Sequence, residues 1–197
     1  MLRIQVIAVF TLLALTACGT TTSLTVPVTV PTSTSFTLID NRPPEQLTSR
    51  SPTGTDPTFY FGNDAIRPSV PDFLKATIER RASKRFVGKT VIVTEVIVSV
   101  KVPAVSVDPG KLAASTSPVP ASVVAAPLAA LAIYGIESAR SKKWVYVRVA
   151  GTIDDKEFSA YRSDTFAGRV SEANVLATLQ AVVEAASIDA ERIADAD

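Results

Sequence analysis

The amino-acid sequence predicts an α+β fold: a mixed, mostly antiparallel β-sheet of about four strands with two helices on one face. Three observations predict it. Residues 90–102 form a long β-branched run, and residues 143–164 hold two alternating segments joined by a turn. Residues 71–88 and 171–188 repeat apolar side chains at helical spacing. Because only one face of the long strand is fully apolar, we expect the helices to cover that face and water to reach the other.

The first residues have the composition of a signal peptide, and we expect a signal helix over residues 1–17. Arg3 supplies a positive charge, residues 4–15 are an almost unbroken apolar run, and small residues lead into Cys18. A run of this length is typical of a signal and is too short to span a bilayer. The sequence LTAC at residues 15–18 resembles the lipobox of a bacterial lipoprotein.

This resemblance implies cleavage before Cys18 and attachment of lipid to its sulfur, with the membrane as partner. Cys18 is the only cysteine in the chain, so neither an internal disulfide nor a CxxC metal motif is possible. The alternative is a buried, unreactive thiol. Because Gly19 rather than an aspartate follows the cysteine, the resemblance favours a bacterial envelope protein in the outer membrane, facing the periplasm.

Residues 18–34 are expected to form an extended tether from the lipid-modified cysteine to a single domain over residues 35–197. Pro27 and Pro31 argue against a central strand in this threonine-rich segment. The alternative is an edge strand packed on the domain, because Val26, Val28 and Val30 alternate.

Two short strands are expected before the first helix. Residues 35–40 predict the first of them, which ends at the cluster Asp40-Asn41-Arg42, and residues 58–62 predict an aromatic strand. Asp40 and Arg42 form the most site-like polar cluster in the chain. They are candidates for ligand binding, and the alternative is a strand-end ion pair that holds a turn.

The first helix is expected to open at Pro71, with Ser69 or Asp72 as its cap, and to end at Gly88. Its buried side contains Phe73, Leu74, Ile78 and Ala82. Its polar side contains four basic residues: Arg80, Arg81, Lys84 and Arg85. We interpret these as the solvated face of an amphipathic helix; the alternative is a patch for lipid headgroups or nucleic acid.

The long strand should place Ile92 on its apolar face with the other even-numbered residues, Val96, Val98, Val100 and Val102. An Ala/Pro-rich insertion follows over residues 103–141. Its residues 121–136 carry no charge but are interrupted by Pro127, so they fall short of a membrane span. We expect a looped insertion that leads into an Ala-rich helix. This helix could pack on its own domain or contact a membrane or partner, and the alternative is a flexible low-complexity segment.

The C-terminal third predicts a hairpin and a long helix. Val145, Val147, Val149 and Ile153 share one face of the first hairpin strand, and Trp144, Tyr146 and Arg148 share the other. Asp154-Asp155-Lys156 forms the turn, and Ser171 caps the helix. We expect the aromatic residues Phe59-Tyr60-Phe61 and Trp144 to pack in the core; the alternative is that they are exposed and bind a glycan such as peptidoglycan.

Composition and motifs argue against an enzyme, a cofactor, a metal or a nucleic acid. The chain has 20 basic and 19 acidic residues and no histidine, which removes the commonest general base and metal ligand. It contains no glycine-rich phosphate loop and no GxSxG elbow. The neighbouring carboxylates Asp154 and Asp155 are explained by turn chemistry.

The lipobox, the cluster at residues 40–42, Gly62, the amphipathic helix and the paired strands before a closing helix together resemble the YajG type of small bacterial lipoprotein. This family implies no activity. We therefore expect a lipid-anchored, non-catalytic envelope lipoprotein that binds another envelope component, protein or glycan, or assists its assembly. The alternative is a lipid or glycolipid carrier that uses a groove between helices and sheet or the apolar residues 121–136.

Overall fold

The computed structural model describes residues 23–53, 56–101, 142–168 and 170–196. The predicted signal helix, Cys18 and the insertion at residues 103–141 lie outside the described residues. In the described ranges no helix combines the length and the apolar character needed to cross a bilayer. The elements are β1 (Leu24–Thr25), β2 (Thr37–Asp40), β3 (Thr58–Tyr60), β4 (Ile66–Arg67), α1 (Val70–Ala82), β5 (Thr90–Lys101), β6 (Lys142–Ile153), β7 (Lys156–Ala167) and α2 (Glu172–Ala194).

A mixed five-stranded sheet and two helices confirm the predicted α+β class. The strand order is β2-β5-β6-β7, and β3 shares with β2 the edge of β5 that faces away from β6. β3, β6 and β7 run antiparallel to their neighbours, whereas β2 is parallel to β5. The sheet has five strands rather than about four. Between β2 and β3, the side-chain oxygen of Gln46 accepts the Val96 N–H of β5 at 2.8 Å, so a side chain bridges the gap in this edge.

A β-bulge in β5 overturns the predicted division of its faces. The pairing with β6 shifts between Val93 and Glu95, so one extra residue is inserted and the alternation changes phase. Val91 and Val93 are fully buried, together with Val96, Val98 and Val100. Ile92 was expected on that apolar face and lies on the opposite one. The bulge is a tertiary feature that strict alternation along the sequence does not reveal.

The β6–β7 hairpin follows its prediction. Asp154 and Asp155 form its two-residue connection with φ values of 47° and 69°, as a type I′ turn requires. Val145, Val147, Val149 and Ile153 are at most 1% exposed, and Trp144, Tyr146 and Arg148 lie on the opposite face. The predicted alternation of β6 is therefore confirmed.

Both helices pack on the same face of the main sheet. Ser69 caps α1 by accepting the Asp72 N–H, and Ser171 and Asn174 form a capping box at the start of α2. The core between helices and sheet is filled by fully buried side chains from both layers. These include Leu74 and Ile78 of α1, Phe158 of β7, and Val175, Leu179 and Val183 of α2.

The described part of the expected tether packs on the domain, which corrects that prediction. β1 pairs in parallel with β4, and the Leu24 N–H donates to the Ala65 carbonyl at 2.7 Å. Leu24 and Val26 are 0% and 3% exposed. The alternating apolar side chains stabilise the packed form because burial removes their surface from water. Only residues 18–22 of the expected tether lie outside the described residues.

Candidate binding face of the sheet

The main sheet has a face that the two helices leave uncovered. Cross-strand pairing builds it in rows: Lys101 beside Trp144 and Thr165, then Ser99 beside Tyr146 and Ser163. A further row joins Ile97, Arg148 and Tyr161. Side chains on one face of paired strands lie about 5 Å apart, so polar and aromatic groups form one continuous surface. We call this surface the open face.

Four aromatic residues reach the open face from three strands. They are Tyr60 of β3, Trp144 and Tyr146 of β6, and Tyr161 of β7. Trp144 is 36% exposed and Tyr161 is 73% exposed. Exposed aromatic side chains grouped on one sheet face are a recurrent feature of binding surfaces.

A depression of about 440 Å³ lies within the open face. Its lining combines three aromatic side chains with hydroxyl groups and one ammonium group: Thr58, Tyr60, Ser99, Lys101, Trp144, Tyr146 and Ser163. Aromatic walls with a few polar groups are the usual lining of a ligand site. Residues 102–141 connect the end of β5 to the start of β6, so both attachment points of the insertion are at this end of the sheet.

Two arginines add charge beside the depression. The guanidinium carbon of Arg50 lies 4.4 Å from the centre of the Tyr60 ring, which is a cation–π contact. On the neighbouring row, the Nε atom of Arg148 lies 2.8 Å from Glu95 Oε2. Its N–H is not aligned with that oxygen, so among the described residues this Nε has an ion-pair partner but no hydrogen bond.

The predicted aromatic cluster divides between the core and the open face. Phe59 and Phe61 are 0% and 5% exposed, whereas Tyr60 points to the open face with Trp144. β-strand alternation explains this division, because neighbouring side chains point to opposite faces. Core packing therefore holds for Phe59 and Phe61, whereas Tyr60 and Trp144 lie on the open face and their role in binding stays a prediction.

The candidates Asp40 and Arg42 lie at the other end of β5 from Trp144. Asp40 pairs with Val93 and Trp144 pairs with Lys101, so about 25 Å of strand separates them. The Arg42 side chain is 1% exposed and donates to Asp40 at 2.6 and 2.7 Å and to Asn63 at 3.0 Å. This geometry ties the loop after β2 to the loop after β3.

Hydrogen bonding from Arg42 lowers the pKa of Asp40 below its ordinary value, and this effect outweighs the partial burial that raises the pKa. Asp40 is therefore ionised at neutral pH and compensates the charge of a buried guanidinium. The pair acts here as a structural clamp between two loops.

Basic residues at the end of α1 and in the 3-10 turn Ser83–Arg85 that follows it face acidic residues of α2 and its C-cap Asp195, a pairing that the sequence analysis missed. Arg81 pairs with Glu184 and Glu191, and Arg85 pairs with Glu191 and Asp195. Arg80 lies 3.7 Å from Glu184. Because α1 and α2 are about ninety residues apart in the sequence, local spacing carries no signal of this ion-pair ladder.

A second polar cluster lies between β7 and α2, on the covered side of the sheet. Arg162 Nε donates to both carboxylate oxygens of Asp164, at 2.9 and 2.8 Å, and the Thr178 hydroxyl donates to Asp164 at 2.8 Å. Burial raises the pKa of Asp164, but these hydrogen bonds together with the positive charge of Arg162 outweigh it and lower the pKa overall. The cluster joins the edge strand to the helix.

Comparison with protein-family models, curated proteins and solved structures finds no match to this chain. Among the described ranges, no group of three or more carboxylate, cysteine or histidine side chains is arranged to hold a metal ion. Of the sequence-predicted site residues, the structure brings Trp144 together with Tyr60 at the depression. It joins Asp40 to Arg42 elsewhere, and Cys18 lies outside the described residues.

Proposed function

We propose that this protein is a lipid-anchored, non-catalytic lipoprotein of the bacterial cell envelope, held by lipid on Cys18 and binding a second envelope component. The apolar run before the single cysteine supports the anchor. The open face supports the binding role, and it is the one observation that carries this part of the proposal. The outer membrane, facing the periplasm, remains the proposed location.

The chemistry of the depression favours a glycan as the bound component. Apolar faces of sugar rings stack on aromatic side chains, and Tyr60, Trp144 and Tyr146 offer three. The hydroxyls of Ser99 and Ser163 and the ammonium of Lys101 line the same depression and can donate hydrogen bonds. A protein partner would use the same surface, so the experiment must separate these two classes.

The number of residues between Cys18 and Ser23 limits the distance between the lipid anchor and the described domain. Residues 18–22 span at most about 18 Å when fully extended. A domain held so near the headgroups reaches components at the membrane surface, and this range agrees with an envelope glycan whose strands lie close to the membrane.

Cosedimentation with insoluble peptidoglycan tests the proposal with the full chain in mild detergent. We expect the parent chain to sediment and Trp144→Ala to weaken binding by about tenfold or more, as truncation of an aromatic anchor does. Val87→Ala is the matched control, because Val87 is 67% exposed and apolar but lies in the turn before β5. Circular dichroism should show the same fold for both variants.

Equal sedimentation of Trp144→Ala and Val87→Ala would show that the open face is not the glycan-binding surface. If the parent chain does not sediment, the glycan class is wrong. A protein partner is then indicated if photo-crosslinking in intact cells captures one protein from position 146 and does not capture it from position 87.

The alternative of a lipid carrier gains no support from the described residues. In them, the layer between helices and sheet is filled by side chains such as Val147, Phe158 and Leu179, each at most 1% exposed. The apolar residues 121–136 of this alternative lie outside the described residues.

A further inference from the structure

β7 ends the main sheet, and one of its edges pairs with β6. In an antiparallel strand, the N–H and C=O of each residue point to the same side, and successive residues alternate sides. The Ser159 N–H donates to Asp189 of α2 at 3.1 Å rather than to β6. The backbone groups of Tyr161, Ser163 and Thr165 therefore point outward with Ser159, and no described residue pairs with them.

We propose that this edge binds a second copy of the chain, by antiparallel pairing of β7 with β7 across a twofold axis at Ser163. Three residue pairs then exchange hydrogen bonds: Tyr161 with Thr165 in both directions, and Ser163 with itself. Each such pair contributes two bonds, so about six backbone hydrogen bonds form and the two sheets join. The Ser159 N–H already donates to Asp189, so the pairing is limited to the residues centred on Ser163.

Charge complementarity selects this register. Arg162 and Asp164 flank Ser163 on the helix-covered face, and a twofold axis at Ser163 places each Arg162 opposite Asp164 of the second copy. The same edge permits an axis at residue 162, which would place two Arg162 side chains opposite each other. It also permits an axis at residue 164, which would place two Asp164 side chains opposite each other. Like charges directly opposite destabilise a strand pair, whereas opposite charges stabilise it.

The exposed ring of Tyr161 supports the same arrangement. Tyr161 would lie opposite Thr165 of the second copy, and within each chain Thr165 lies beside Trp144 on the open face. Pairing would thus cover part of a ring that is 73% exposed and join the two open faces into one surface. The proposal does not rest on glycan binding, because it uses the backbone groups of the β7 edge, and Ser163 is the one residue that this edge shares with the lining of the depression.

Oxidative crosslinking of the full chain in mild detergent tests the register. The substitution Ser163→Cys introduces one thiol in each copy of the chain. The backbones of these two residues exchange hydrogen bonds across the axis, and their Cα atoms lie about 5.5 Å apart, within disulfide range. The matched control is Thr165→Cys, which is exposed on the same strand and face. The Cα atoms of the two copies of residue 165 would lie about 14 Å apart, beyond that range. The parent chain, whose only cysteine is Cys18, gives the background.

We expect a disulfide-linked dimer from Ser163→Cys and none above background from Thr165→Cys. Equal crosslinking of the two variants would overturn the register. A parent chain that is monomeric by sedimentation velocity would overturn the proposal. So would a Ser163→Cys variant whose introduced thiol neither crosslinks nor reacts with a soluble thiol reagent, because the chain itself would then cover the edge.

Charge variants test the same register without cysteine. Arg162→Asp places two pairs of like charges opposite each other, and we expect the dimer dissociation constant to rise by about tenfold or more. The exchange Arg162→Asp with Asp164→Arg restores opposite charges across the axis and should recover dimerisation. Failure of the exchanged variant to dimerise, with its circular dichroism unchanged, would contradict the charge argument.

Discussion

Replacing Gly151 by alanine should destabilise the protein more than most single-methyl additions do. Gly151 lies on the buried face of β6, between Val93 of β5 and Phe158 of β7. A Cβ atom there would lie 2.2 Å from the Ile92 carbonyl oxygen and 2.7 Å from Phe158 Cζ. The ring could rotate away, but the carbonyl belongs to the central strand and moves only if the strands separate.

The expected magnitude follows from the rigid contact. Overpacking a filled core costs about 1–3 kcal/mol, and the approach to a backbone oxygen places Gly151→Ala at the upper end, at about 3 kcal/mol. For a domain of this size, that loss lowers the melting temperature by about 6–12 °C.

Gly88→Ala separates steric from conformational effects. Gly88 has a φ of +75°, and nothing lies within 4 Å of the position its Cβ would take. Its replacement should cost only the left-handed backbone strain, about 1 kcal/mol. Urea unfolding of the full chain gives both free energies. If Gly151→Ala lowers the free energy of unfolding by no more than Gly88→Ala does, the steric reasoning is wrong.

Three further predictions concern the Asp40–Arg42 pair, the ion pairs between Arg81 and α2, and the lipid on Cys18. The folded-state pKa of Asp40 is lowered from 3.8, so its stabilisation is present at neutral pH and is lost as the pH falls through about 4 and below. Asp40→Asn should lower the free energy of unfolding at neutral pH and flatten its acid dependence; an unchanged acid limb would contradict this. A double-mutant cycle on Arg81 and Glu184 should give about 0.2–1 kcal/mol, decreasing with salt; a salt-independent coupling would contradict surface pairing. Intact-mass measurement should find the mature chain starting at Cys18 with added acyl mass, whereas Cys18→Ser should retain residues 1–17 without it.

Most helices and strands could be predicted because their signals are local. The β6 alternation, the turn at Asp154 and Asp155, and the Ser171 cap depend on neighbours within four residues, and the structure confirms them. β1 and β4 have two residues each, too few for a periodic signal. The packing of Leu24 against Ile66 depends on a contact between distant segments, so the choice between tether and packed strand could not be made from the sequence.

The candidate site shows the same limit. Trp144 was identified by residue type, but its association with Tyr60 depends on β3 pairing with the far end of β5. Asp40 and Arg42 were correctly recognised as a polar cluster, yet the third member, Asn63, comes from another loop. Sequence spacing identifies the members on one segment and does not reveal the partner from a distant one.

By itself, the sequence determined the fold class and most element positions, because periodicity and caps are local properties. The tertiary structure decided which faces are buried. It inserted a bulge that reverses the phase of β5, paired the basic residues of α1 with α2, and left the open face and the β7 edge without a partner among the described residues. These features arise from contacts between residues far apart in the chain, where burial and pairing energies outweigh local preference.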